Sequence, residues 1–170
     1  MMLVGDRDRF AIEYELEAVP GGDVELRRWM FGRIRWWCGG TPVGRYDSTT
    51  AIGDLAAVVE RLLKREDARI SPELMDLPAP EVAHIITRAL FSDDDRSDAE
   101  IAADGAHYWP FFVSPRTEVF DPWDVFVIEG EKSSRLIWGL VDRPELDEFR
   151  LHPGEFAEVL HEFLDALQRG

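Results

Sequence analysis

Hydrophobic and polar residues alternate one for one from Phe10 to Glu17. Phe10, Ile12, Tyr14 and Leu16 fall on one side, and Ala11, Glu13, Glu15 and Glu17 on the other. A period of two is that of a β-strand, whose successive side chains point to opposite faces, so this segment predicts a half-buried strand. "VPGGD" (19–23) predicts a turn. A second alternation follows. Met30, Ile34, Trp36 and Cys38 share one face, and Trp29, Phe31, Arg33, Arg35 and Trp37 share the other. Gly39-Gly40 then signals a hairpin, because both positions tolerate φ > 0. A two-residue turn there pairs Cys38 with Thr41, Trp36 with Val43 and Arg33 with Tyr46. Pro42 has no N–H for a ladder, so it belongs on an edge or at a bulge.

The period then changes to that of helices. "DSTT" supplies caps for a helix over about 51–65, with Ile52, Leu55, Val59, Leu62 and Leu63 on one stripe. "SPELMDL" (71–77) predicts a short helix capped by Ser71 with Pro72 at its first position. "PEVAHIITRALF" (80–91) predicts another, with Val82, Ile85, Ile86, Ala89 and Leu90 inward. Residues 92–105, "SDDDRSDAEIAADG", read as an acidic loop with one helical turn after Ser97. "HYWPFFV" (107–113) reads as extended around Pro110. Strands are expected at 123–129, 135–141 and 148–151, and a final helix from Pro153 carries Phe156, Val159, Leu160, Phe163, Leu164 and Leu167. The order β-β-β-α-α-α-β-β-β-α predicts one α+β domain over 1–170. In it an antiparallel sheet with an N-terminal hairpin is covered by amphipathic helices.

Composition narrows the class. The 170 residues are 45% hydrophobic, which is globular, and no apolar run approaches the roughly 20 residues of a membrane span. The N-terminus lacks the pattern of a secretory signal, so a cytoplasmic protein with no membrane partner is expected. A lone cysteine, Cys38, excludes an internal disulfide. The net charge of -15 is unevenly placed: residues 1–91 carry 15 acidic and 12 basic side chains, residues 92–170 carry 19 and 7. Such a surface repels phosphate backbones and attracts basic proteins or cations.

No cofactor or metal pattern emerges. His84, His107, His152 and His161 lack zinc-ligand spacing, and Asp93-Asp94-Asp95 lacks the spaced oxygens and glycine of a calcium loop. Glu13 and Glu15 share a strand face, which suits either acid–base chemistry or the wet side of a sheet. No nucleophile elbow, P-loop or dinucleotide fingerprint is present. Gly39-Gly40-x-x-x-Gly44 joins strand to strand, with no helix N-terminus to hold phosphate. Arg27, Arg28, Arg33 and Arg35 interleave with aromatics. They can stack bases, or stack on their neighbours and pair with Glu13 and Glu15; the acidic net charge favours the second. Trp123, between Asp121 and Asp124 at the start of a strand, is either core or an anchor for a basic partner.

"FAIEYELE" followed by "WMFGRIRWWCGGTPVGRYDSTTAIGDL" resembles the N-terminal signature of the immunity protein 42 family of bacterial polymorphic toxin systems. The matching positions are Phe10, Ala11, Ile12, Glu13, Gly32, Trp36 or Trp37, Gly39, Gly40, Val43, Gly44, Tyr46 and Asp47. The likeness covers the first ~65 residues well and the rest loosely; the stretch at 92–105 has no counterpart in that pattern. It implies a non-enzymatic protein that neutralises a cognate protein toxin by binding it, the toxin being a nuclease or another enzyme with a basic surface. The charge pattern makes Asp93, Asp94, Asp95, Asp98, Glu100, Asp121, Trp123 and Asp124 candidate partner contacts, with Glu145, Asp147 and Glu148 extending the patch. The alternatives are a generic acidic interaction module, a small hydrolase or a nucleic-acid binder.

Overall fold

The two alternating segments become neighbours in a twisted antiparallel sheet. The computed structural model describes residues 1–17 and 30–169. The turn expected at 19–23, and Arg27, Arg28 and Trp29, lie outside the described residues. Strand β1 (Met2–Gly5) pairs with β2 (Phe10–Leu16), and β2 with β3 (Phe31–Cys38). On its other side β3 pairs with β4 (Thr41–Val43) and β5 (Thr50–Ala51). Strand β1 escaped sequence reading because it is only 4 residues long and mostly exposed, so it carries no burial period.

The hairpin forms as expected where its register is local. Gly39 and Gly40 sit at φ of +53° and +81°, and Cys38 faces Thr41 while Trp36 faces Val43. Pro42 lies on the edge strand. Arg33 does not pair with Tyr46, because the ladder stops at Val43. Gly44 turns away there at φ of +110°, against the Phe120 ring, where a Cβ would come within 3.0 Å. Tyr46 instead lies beneath the guanidinium of Arg35, 4.5 Å from the ring centre.

Helix α1 (Ile52–Leu63) buries Ile52, Leu55 and Val59. It is not capped by "DSTT": Thr50 and Ala51 are claimed by β5, and the cap position, Ala51, makes no side-chain bond. Beyond a 3-10 turn (Glu66–Arg69), α2 (Pro72–Asp76) is capped by Ser71, whose hydroxyl accepts from Leu74 N–H at 3.2 Å. Helix α3 (Ala79–Phe91) turns Val82, Ala83 and Ile86 inward.

Residues 92–105 are not a loop throughout. Helix α4 (Asp98–Tyr108) runs from a capping box in which Ser97 Oγ accepts from Glu100 N–H and Glu100 accepts from Ser97 N–H. The S-x-x-E signature was visible, but α4 buries no residue, so no apolar stripe announced its length. The expected extended run at 107–113 also gives way: the helix continues to Tyr108, and Trp109–Phe111 form a 3-10 turn.

The second sheet has the order β6 (Trp123–Glu129), β7 (Ser134–Leu140), β8 (Leu146–Leu151), all antiparallel. Strands β6 and β7 are covered on both faces, which explains their unbroken apolar runs. Val125, Val127, Leu136 and Trp138 join the first sheet, α1 and α5 (Glu155–Arg169) in the main core. Phe126, Ile128 and Ile137 face a second core built by α2, α3, Phe111 and Phe112. Trp36 is the hub of the main core, within 5.5 Å of Phe10, 5.2 Å of Phe120 and 5.9 Å of Phe156. Truncating such a residue to alanine costs about 3–5 kcal/mol. The result is the α+β fold expected, with two sheets rather than one.

Candidate partner-binding surfaces

The face of β2 and β3 opposite the main core is an arginine–aromatic layer, and Glu13 is its centre. Register places Glu13 opposite Arg35 and Glu15 opposite Arg33. Glu13 is 1% exposed. Its carboxylate accepts from Arg35 Nη2 at 3.0 Å, Trp37 Nε1 at 2.7 Å and Arg7 Nη2 at 2.9 Å. Arg35 also stacks on Trp37 at 4.6 Å, and Arg7 on the same ring at 5.1 Å. Burial alone would raise the Glu13 pKa. The hydrogen bonds from Arg35 and Trp37, with the charges of Arg35 and Arg7, more than offset it and hold the carboxyl below its ordinary value. Arg35 is therefore committed to the fold rather than to phosphate. Arg33 and Glu15 are exposed beyond this layer.

The acidic candidates divide by what already holds them. Asp94 is clasped by Arg96 at 2.6 Å, and Arg96 also bonds Asp104 at 2.5 Å and the carbonyls of Ala89, Arg88 and Ser92. Arg96 thus closes the C-terminal end of α3, and its hydrogen bond draws the Asp94 pKa down. Glu100 is spent in the capping box, where Ser97 lowers its pKa. Asp93, Asp95 and Asp98 are exposed and make no ion pair among the described residues.

Asp121 is exposed at the start of β6, while Trp123 and Asp124 are half-buried and, being adjacent on a strand, face opposite ways. Trp123 packs on the main core and borders an open cleft with Trp138, Glu145 and Asp147. Asp124 lines a narrow cleft with His84, Thr87 and Arg143; burial pushes its pKa up, and the charge of Arg116 partly offsets that. Glu148 is not available, since it pairs with the buried Arg135 at 2.8 Å. Helix α3 links the two groups, because His84 lines both the Asp124 cleft and the one holding Asp94 and Asp104.

Sequence reading passed over four other side chains that the fold gathers: Arg61, Arg65, Arg69 and Arg116 line one cleft. The available signal was the four-residue spacing of the first three, which places them on one side of a helical path.

A model of the immunity protein 42 family matches residues 2–166. The chain belongs to this family. Among solved structures, this family member is similar to a CdiI from Burkholderia dolosa AUO158, with a TM-score of 0.72 and 21% identity, over 97% of this chain and 99% of that one. That likeness places the fold. No curated protein matches the chain. Among the described residues of this immunity protein no group of three His, Cys, Asp or Glu can hold a metal, and no helix is long and apolar enough to cross a membrane.

Proposed function

We propose that this immunity protein binds and neutralises a cognate toxin domain of a bacterial polymorphic toxin system in the cytoplasm of the producing cell. It acts by occupying the toxin, without catalysis of its own. The observation that carries the reading is the family match over 2–166; the fold shared with a CdiI is consistent with it.

The toxin-facing surface we propose is the acidic one on the two sides of α3. Asp93, Asp95 and Asp98 lie on one side, unpaired among the described residues; Asp124 lines the cleft on the other, and the exposed Asp121 precedes it by three residues. Unpaired carboxylates speed encounter with a basic enzyme, whether a nuclease or another, and imitate an anionic substrate. Asp94 and Glu100 contribute charge, but their hydrogen bonds hold them to the fold.

The test is co-expression with the toxin domain encoded immediately upstream. Rescue of growth and co-purification of a stable complex are expected, and charge reversal at Asp93, Asp95 and Asp98 should slow association at low salt. A toxic domain that is neither rescued nor bound would refute the assignment to that partner.

A further inference from the structure

A cleft of about 240 Å³ opens between the end of α1, the 3-10 turn after it and the segment from Trp109 to Arg116. Four of its lining residues are arginines: Arg61, Arg65, Arg69 and Arg116. None of the four has a carboxylate within 4.0 Å among the described residues. In a chain of net charge -15, four guanidinium groups around one cleft without a direct ion pair need a reason; the carboxylate charges that reach them are those of Glu129 and Glu66 on Arg69 and of Asp124 on Arg116.

Arg69 supplies the second observation. It is 0% exposed. Its Nε donates to the Pro110 carbonyl at 2.8 Å and its Nη2 to the Leu62 carbonyl, both residues of the cleft wall. Phe156 lies 5.5 Å from the guanidinium carbon. Nη1 has no partner. Leaving a buried donor of a charged group unsatisfied costs more than leaving a neutral one so. Burial without a close counter-ion pushes the Arg69 pKa down to about 10, so the group is still a cation at neutral pH.

Arg116 is held unusually. It sits at φ of +54°, a conformation that side-chain-bearing residues avoid. Its guanidinium lies 4.6 Å from the Phe91 ring centre and 5.2 Å from that of Phe112. Stacking of this kind fixes the plane of the fork and leaves its N–H edge to bond a planar or tetrahedral oxyanion. Trp109, 38% exposed, completes the rim. The volume is several times the roughly 30 Å³ of one water in the liquid, enough for an oxyanion and the first atoms of what carries it.

We propose that this cleft is an oxyanion-binding site, taking a phosphate or carboxylate group through the exposed Arg65 and Arg116, with the buried Arg69 adding its charge from within the wall. The group comes either from a free anion or from an acidic side chain of the bound partner. The site does not depend on the toxin reading, and it lies among residues that the acidic-surface proposal does not use.

The experiment is titration of the full chain with inorganic phosphate, and separately with glutarate, at constant ionic strength. Chloride serves as the reference, and tryptophan fluorescence and thermal unfolding as readouts. Saturable binding of at least one of the two is expected. It should weaken about tenfold or more in Arg65→Gln and in Arg116→Gln, and stay unchanged in Arg33→Gln, an exposed arginine outside the cleft. Arg69→Met should fold and weaken the response. No difference from chloride for either anion would overturn the proposal, as would binding indifferent to Arg65→Gln and Arg116→Gln. Once a toxin partner is in hand, competition between it and the anion identifies the partner's acidic side chain as the source. Simultaneous binding identifies a free anion.

Discussion

Glu13 and Arg69 are both charged and both buried, yet their surroundings are opposite. Around Glu13 the chain has gathered two arginines and an indole N–H, so the carboxylate is satisfied and its pKa falls. Around Arg69 it has gathered two carbonyls and a phenylalanine ring, so the guanidinium is half-satisfied and its pKa falls for the opposite reason, loss of water without a close partner charge. A buried charge that is matched by its own fold is held at little cost, whereas one that is not keeps a desolvation penalty.

The sharpest break of this contrast is Glu13→Ala. It strands Arg7 and Arg35, which are partly exposed and can turn to water. The expected loss is therefore about 3 kcal/mol, at the low end for breaking a buried pair, read as a shift of the urea midpoint. Since the Glu13 pKa is lowered on folding, its contribution is complete above the unfolded value near 4.5 and drains away as pH falls through the folded value. In Glu13→Gln that part of the acid sensitivity should vanish; an unchanged pH profile would mean the carboxylate is not held by its arginines.

Arg69→Met removes a buried cation with no close counter-ion. Stability should stay within about 1 kcal/mol of the parent or rise. A loss above about 2 kcal/mol would class Arg69 with Arg135, a structural clasp that holds the carbonyls of Leu74 and Leu77 as well as Glu148.

Asp124 is a milder case. Burial raises its pKa, so its penalty appears as pH rises from the unfolded value through the folded one. Asp124→Asn should stabilise the protein at neutral pH by no more than about 1 kcal/mol and have no such effect in acid. The smallest effect is expected for charge reversal at Asp93, Asp95 and Asp98. Stability at each position should move by less than about 0.5 kcal/mol, while toxin association at low salt should slow and the difference should fade as salt rises.

How much was readable depends on how local the cause is. The strand at 10–16 and the Gly39-Gly40 hairpin followed from period and turn chemistry, as did the inward stripe of α5. The length of α4 did not, because a helix that buries nothing has no stripe to read, although its capping box stood in plain view at Ser97 and Glu100. The failed Arg33–Tyr46 pair shows the limit of register: it was right until Gly44 met Phe120, a residue 76 positions away. Of the candidate contacts, exposure of Asp93, Asp95 and Asp98 was foreseeable. The anchoring of Arg96 to Asp104 and to the carbonyls that end α3 was not, since it depends on where α3 ends against α4.

The sequence by itself determined the strands and helices that carry a burial period, the charge imbalance and the family signature. Backbone geometry and side-chain period act over a few residues and leave their mark in order along the chain. Only the tertiary structure decided which charges lose their water and what they meet in exchange. Burial placed Glu13 among cations and Arg69 among carbonyls, and it brought Arg116 to the same cleft as Arg61 and Arg65. Desolvation and Coulomb attraction act through space, between residues whose separation in sequence carries no record of their contact.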